Sequence, residues 1–355
     1  MMAALEHIGV VGAGSIGSLL AAHLTLAGRR VTVVDGWFPH VEAMRNDGVR
    51  ITAPDESLRV RLDAFHVDDL DRVAGSIDLL FVAVKAYDSA IAVRLMEPLL
   101  HERSLVVPVQ NGMTEEWFSR LVDPERLVGC CVHVPAELTR PGRVTRYLPR
   151  SRRTFSLGYV GAGGAADLET LAALVAPSGE TEITDDLAAV KWAKLAVNTM
   201  TNAPAGLTGW TTHRLWSDPQ SVPLCVRAAA ETLAVAYAVG VRPDRVFGRF
   251  DPGLFIAALD DPAAAEEAAA ALGEVAAERT GSSESRPSLL QDVDRGRRTE
   301  VRYLNGHVVR LGRDTGVATP VNAALEQLVG QIDCDRLGKD SANLRRVEAL
   351  VGGTR

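Results

Sequence analysis

Apolar and polar positions change their period once along this chain of 355 residues. In the first half, short apolar runs alternate with segments of helical period. Ile8 to Val11 reads as a strand, Ser15 to Ala27 as a helix closing at Gly28, and Val31 to Val34 as the second strand. Asp78 to Val84 (DLLFVAV) and Ser104 to Val109 (SLVVPV) are apolar without alternation, as strands are when both faces are covered. Strands and helices in this succession predict an α/β fold around a mainly parallel sheet. Between Val128 and Gly158, β-rich runs and the turn signal Pro141-Gly142 predict antiparallel strands that extend the sheet.

From about Asp186 the helical period takes over. Leu187 to Asn202, Val222 to Val239 and the Ala-rich stretch Ala263 to Arg279 each read as helix, with Gly281-Ser282-Ser283 and Arg286-Pro287 as punctuation. The pattern predicts two domains, 1–185 and 186–355, the second all-helical.

Composition narrows the class. Apolar residues make up 47% and charged residues 23%, an ordinary globular balance, and a net charge of -7 argues against a general nucleic-acid binder. Four cysteines give neither a disulfide framework nor a CxxC metal spacing, and the adjacent Cys130 and Cys131 read as small apolar side chains on a strand, so no metal is expected. The chain opens without a basic and then apolar leader and has no run long enough to span a bilayer. A cytoplasmic protein with no membrane partner is expected, and a homodimer is compatible with the sequence.

Candidate chemistry begins at Gly12-Ala13-Gly14-Ser15-Ile16-Gly17, a G-x-G-x-x-G between a strand and an amphipathic helix. In that context the first glycine makes the turn, the second admits a pyrophosphate and the third packs helix against strand. The N–H groups that open the helix then face the anion. Asp35 ends the second strand, where an acid would accept the adenosine ribose hydroxyls; Asp35-Gly36 is also a turn signal, so both roles are open. An ionised Asp35 would repel a 2′-phosphate, which favours NAD(H) over NADP(H). Arg29 and Arg30 lie at the far end of the strand, leaving His40 as the base to grip a phosphate if NADPH were used. Lys85 and Gln110-Asn111-Gly112 follow two further strands, at the edge where open α/β sheets bind ligands. A solvated lysine and a simple turn are the alternatives there.

Lys194, Asn198 and Asn202 stand at i, i+4 and i+8 of one expected helix, on a single face among apolar neighbours. Lining a ligand cleft and snorkelling out to solvent are both open to such a lysine. Glu300, just before Val301, Tyr303 and Leu304, reads as the first turn of a helix, where the helix dipole alone favours an acid.

The blocks GAGSIG, VAVKAYD, VQNGM, WAKLAVNTMTNAPAGLTG and SLLQDVDRGRRTEVRYLNG together resemble the ketopantoate reductases, in the family's order from Gly12 to Gly306. The resemblance implies a Rossmann domain followed by a helical domain of the 6-phosphogluconate dehydrogenase C-terminal type, with the active site in the cleft. It implies NAD(P)H-dependent reduction of a 2-oxo acid, 2-dehydropantoate to pantoate, with Lys194 as general acid. It places Lys85 and Asn111 by the nicotinamide ribose and the substrate, and Asn198 and Asn202 on the substrate side. Ser288 would hold the carboxylate, and Glu300 a substrate hydroxyl. Two other readings stay open: an NAD-dependent dehydrogenase of a different hydroxy or oxo compound, and a dinucleotide-sensing protein without catalysis. The chain departs from the family in four places. Asp35-Gly36-Trp37-Phe38 stands where an Arg often follows the second strand, and Ser285 stands where an Asn often does, with Pro287 intruding. The helical domain carries extra residues around Phe247 to Arg279, and a tail follows Asp333.

Overall fold

The unalternating apolar runs become the middle strands of a parallel sheet. A computed structural model describes residues 5–161, 164, 166–278 and 285–353, in two units, Met1–Leu187 and Ala188–Arg355. Residues 1–4, Arg279 and Gly281-Ser282-Ser283 lie outside the described residues.

The strands of the first unit are β1 (His7–Val11), β2 (Arg30–Asp35), β3 (Val49–Thr52), β4 (Ser57–Val60), β5 (Asp63–His66), β6 (Ile77–Val82), β7 (Leu100–Pro108), β8 (Val128–Val132), β9 (Ala136–Arg140), β10 (Arg143–Arg146), β11 (Arg153–Tyr159) and β12 (Glu180–Ile183). Its helices are α1 (Ser15–Leu26), α2 (Phe38–Glu42), α3 (Ser89–Met96), α4 (Glu115–Phe118) and α5 (Leu168–Val175). Five strands form one parallel sheet in the order β5-β2-β1-β6-β7. Alternate residues face opposite ways, as a period of two requires. Ile8, Val10, Leu79, Phe81 and Val107 enter one apolar core with α1, while Val11, Leu80, Val82 and Val106 enter the other with Ala92 and Val93 of α3. Each buried Val, Leu, Ile or Phe among them contributes about 1.5–3 kcal/mol on burial.

The strands between Val128 and Gly158 do not extend this sheet. They build two others, β4-β3-β10-β9 and β12-β11-β8. The antiparallel pairings expected there do form, β9 with β10 around Pro141-Gly142 and β8 with β11. The small sheets turn Ile51, Val144, Cys130, Phe155 and Leu157 into the core that covers α1, and an isolated bridge between Val106 of β7 and Leu127, just before β8, is the link to the parallel sheet's edge. Cys130 and Cys131 are buried, free thiols on β8.

The second unit holds α6 (Leu187–Thr199, which begins at the unit boundary), α7 (Asn202–Thr208), α8 (Thr212–Leu215), α9 (Val222–Ala238), α10 (Pro252–Ala257), α11 (Pro262–Glu278), α12 (Ser288–Asp294), α13 (Asn305–Thr315), α14 (Pro320–Ile332) and α15 (Asn343–Gly352). Among its described residues there is no strand, only an isolated bridge between Val246 and Phe250. Its core gathers Leu233 of α9, Phe255 of α10, Leu272 of α11 and Leu325 of α14 around Trp216. α9 also carries Glu231, which is buried and spends both carboxylate oxygens on α14. It accepts from the backbone N–H groups of Val321 and Asn322, each at 2.9 Å. Those are the orphan donors of a helix N-terminus, satisfied from a neighbouring helix.

Candidate active site

Chain order places β1 and β6 side by side although four strands separate them in sequence, and this is the switch point of the sheet. The glycine turn leaves β1 here. At Gly12, with φ of 90°, an added Cβ would stand 2.6 Å from the Val84 amide nitrogen; at Gly17 it would meet the Gly12 carbonyl oxygen at 1.9 Å. At Gly14 nothing lies within 4 Å. Gly12 and Gly17 are thus required by the protein's own packing, while Gly14 opens onto space. α1 begins at Ser15 with no side chain capping it. An uncapped helix start behind an open glycine fits a pyrophosphate.

Asp35 ends β2 beside this turn. Its Oδ2 accepts from the Ala13 N–H at 2.6 Å and its Oδ1 from the Trp37 N–H at 2.7 Å, so the carboxylate braces the glycine turn and its own turn together. His40 cannot serve as a grip for phosphate. It is fully buried, its Nε2 donates to the Ala13 carbonyl at 2.8 Å, and its Nδ1 accepts from the Gly142 N–H at 2.9 Å. Burial holds the imidazole below its usual pKa, against opposing pulls from Asp35 and the Ala13 carbonyl. Accepting at Nδ1 while donating at Nε2 makes it the neutral ring.

Lys85 and Asn111 each stand three residues beyond a paired position, Val82 and Pro108, at the carboxyl ends of adjacent strands. Gln110, just before Asn111, ties the two ends together. Its Nε2 donates to the Val84 carbonyl at 2.6 Å and to Ser89 Oγ at 2.9 Å. Gly112 turns the chain with φ of 84°.

In the second unit, Lys194 and Asn198 share a face of α6, with Lys194 half-buried and Asn198 buried. Asn202 does not continue that face. α6 ends at Thr199, where Thr201 departs from helical geometry (φ -120°, ψ -52°) and donates its hydroxyl to the Val197 carbonyl at 2.6 Å; Asn202 opens α7. Its Oδ1 accepts from Ser288 Oγ at 3.2 Å and the Leu289 N–H at 3.3 Å, capping α12. Two residues 86 apart in sequence are thereby joined.

Glu300 is buried, but it caps a short 3₁₀ turn, Val301–Tyr303, instead of entering a longer helix. Leu304, with φ -102° and ψ -90°, separates that turn from α13. Asp333, at the end of α14, holds the preceding residue with both oxygens, accepting from the Thr299 N–H at 3.0 Å and Thr299 Oγ1 at 2.9 Å. Close by in sequence, His307 accepts from Arg310 at 2.8 Å. Burial first, then the charges of Arg310 and Lys191, pushes its imidazole down to about 4.

Gln110, His40 as a brace, and Asp333 are the positions that sequence reading missed. Only Gln110 carried a signal, its place in a strand-end Gln-Asn-Gly. Among the described residues no group of His, Cys, Asp or Glu is arranged to hold a metal ion, and no helix is long and apolar enough to cross a membrane.

Both units match a known family. The description "Ketopantoate reductase PanE/ApbA" fits residues 8–158 and its C-terminal counterpart residues 186–333. The chain belongs to the ketopantoate reductase family. Its members bind a nicotinamide dinucleotide and are oxidoreductases. Among curated ketopantoate reductases, the 2-dehydropantoate 2-reductase of Halobacterium salinarum is 32% identical over 322 residues, covering 90% of this chain and 96% of that one. A PanE/ApbA family ketopantoate reductase from Ralstonia eutropha is 25% identical with a TM-score of 0.73, over 93% of this chain and 99% of that one. The D-mandelate dehydrogenase ternary structure with NADH and anilino(oxo)acetate has the same fold, with a TM-score of 0.78 at 23% identity, over 93% of this chain and 99% of that one.

Proposed function

We propose that this chain reduces 2-dehydropantoate to pantoate with NADH, residues 1–185 binding the dinucleotide and 186–355 the substrate. The observation that carries the reading is the family match across both units, together with a lysine on α6 and an acid before the 3₁₀ turn inside the matched residues. When bound, the reduced nicotinamide supplies a hydride to the carbonyl carbon. Lys194 Nζ then gives its proton to the carbonyl oxygen as alkoxide charge develops, and its ammonium stabilises that charge beforehand. On substrate binding Ser288 Oγ turns its one proton from Asn202 Oδ1 to the substrate carboxylate, and the Leu289 N–H keeps its bond to Asn202 Oδ1. The Asn202 Oδ1 is engaged at α12, so Asn202 serves the substrate through its Nδ2, beside Asn198. Glu300 accepts from a substrate hydroxyl. Lys85 and Asn111 orient the nicotinamide ribose.

The preference for NAD(H) rests on the strand tip. The carboxylate of Asp35 ends β2, the next residues Gly36, Trp37 and Phe38 bring no cation, and Arg30 at the opposite end donates to the Ala74 carbonyl. A 2′-phosphate brought near Asp35 meets like charge.

Turnover with NADH and NADPH, on 2-dehydropantoate and on 2-oxoisovalerate, which lacks its hydroxymethyl group, tests both parts. NADH is expected to give the higher kcat/KM, and the hydroxylated acid to be turned over at least tenfold better, because a buried acceptor built for a hydroxyl is stranded without it. Equal rates on the two acids would refute the assigned role of Glu300, and preference for NADPH that of Asp35.

A further inference from the structure

We infer that His40 is a positioning residue for the dinucleotide turn, holding the Ala13 carbonyl so that the turn is set before the ligand arrives. The inference rests on reading Gly12 to Gly17 as the dinucleotide site. Ala13 lies between two glycines, the residues least able to fix a peptide's orientation by themselves. Its two polar groups are held by side chains. The N–H goes to Asp35 Oδ2 at 2.6 Å. The carbonyl accepts from His40 Nε2 and from Ser18 Oγ, both at 2.8 Å.

The ring that reaches Ala13 is itself anchored from a distant part of the chain. Gly142, in the turn between β9 and β10, donates its N–H to His40 Nδ1 across 102 residues, and its carbonyl accepts from the Arg50 N–H at 2.8 Å. That acceptor role fixes the tautomer, so Nε2 carries the proton and must donate towards Ala13. A tie runs from the small four-stranded sheet through His40 and Ala13 to Asp35. Trp37, whose ring lies 5.7 Å from the imidazole, is joined to the same carboxylate through its N–H. A turn held in this way binds without the cost of ordering two glycine-flanked peptides.

Two half-isosteres separate this role from a purely structural one. His40→Gln keeps a donor near the Nε2 position and loses the acceptor for Gly142. His40→Asn keeps an acceptor near Nδ1 and loses the donor to Ala13. Both remove one buried hydrogen bond, so both should lower Tm. The dissociation constant of NADH, measured by fluorescence titration of the full chain, should rise about tenfold for His40→Asn and stay within about twofold for His40→Gln. At saturating NADH, kcat should remain near wild type in both. Ser18→Ala, which removes the other donor to the same carbonyl and the contact of that hydroxyl with His40 Nε2 at 3.1 Å, should raise the constant about threefold. Exchange of the amides around Ala13 should quicken in His40→Asn and not in His40→Gln. Equal NADH affinity in the two His40 variants, or an unchanged constant in both His40→Asn and Ser18→Ala, overturns the inference. Failure of the wild type to bind either dinucleotide overturns the reading of the turn itself.

Discussion

In the first unit, the groups proposed to meet a ligand are largely backbone N–H groups at the start of α1, and the protein shapes them by excluding Cβ atoms and bracing one peptide. In the second they are side chains, and what is braced is the backbone beneath them. Asn202 caps α12 under Ser288, and Asp333 grips Thr299 beside Glu300. The contrast follows from chemistry. A pyrophosphate is the same in every dinucleotide and is met by repeating backbone donors, whereas a substrate's carboxylate, carbonyl and hydroxyl each need a different group at a set place.

If that division is right, the largest effect should come from the side chain that gives the proton. Lys194→Ala is expected to lower kcat by two or more orders of magnitude, with NADH binding unchanged, since the glycine turn and Asp35 belong to the other unit. Near-normal turnover in a folded variant would remove Lys194 from the mechanism. A large loss of NADH affinity would break the division itself.

Next in size is a contrast inside the first unit. Gly17→Ala drives a Cβ to within 1.9 Å of a backbone oxygen, so it should lower Tm markedly, by several kcal/mol of stability, and abolish NADH binding with it. Gly14→Ala meets nothing within 4 Å. It should leave Tm within a degree or two while weakening NADH about tenfold or more, because the methyl occupies the open space beside the helix start. Thermal melts with and without NADH read both. If Gly14→Ala binds NADH normally, the open glycine does not face the ligand.

The same contrast explains how much was legible in the sequence. Glycine constraints are local, so G-x-G-x-x-G after an apolar strand announces both the turn and its purpose, and the doubly buried strands announce the parallel sheet. The second unit's groups come from α6, α7, α12 and the 3₁₀ turn, and no periodicity joins elements so far apart; only the resemblance did. The helical period also runs straight through Met200 and Thr201; the mark of the break is Pro204, which has no N–H for the Met200 carbonyl, and Thr201 bonds back to Val197 beside it. His40 reads as a base able to grip a phosphate because a lone histidine after Trp-Phe-Pro gives no sign that Gly142, far along the chain, will engage its ring.

The smallest effect expected is the most discriminating. Asp333 touches no group proposed to meet substrate; it accepts from the N–H and the hydroxyl of Thr299. Asn at this position can accept from the Thr299 N–H and donate its amide nitrogen to the Thr299 hydroxyl, so both contacts survive but lose the carboxylate charge that strengthens them. Glu300, the next residue, would then sit on a looser turn. Asp333→Asn is therefore expected to raise KM for 2-dehydropantoate about three- to tenfold while leaving KM for 2-oxoisovalerate, the NADH dissociation constant and kcat nearly unchanged. The advantage of the hydroxylated acid should shrink in step. A general loss of stability would move both acids together, so a selective loss identifies positioning of Glu300. If both acids lose equally, Asp333 only holds α14 to the turn, and the second unit does not orient its acid from beneath as the first unit orients its glycine turn.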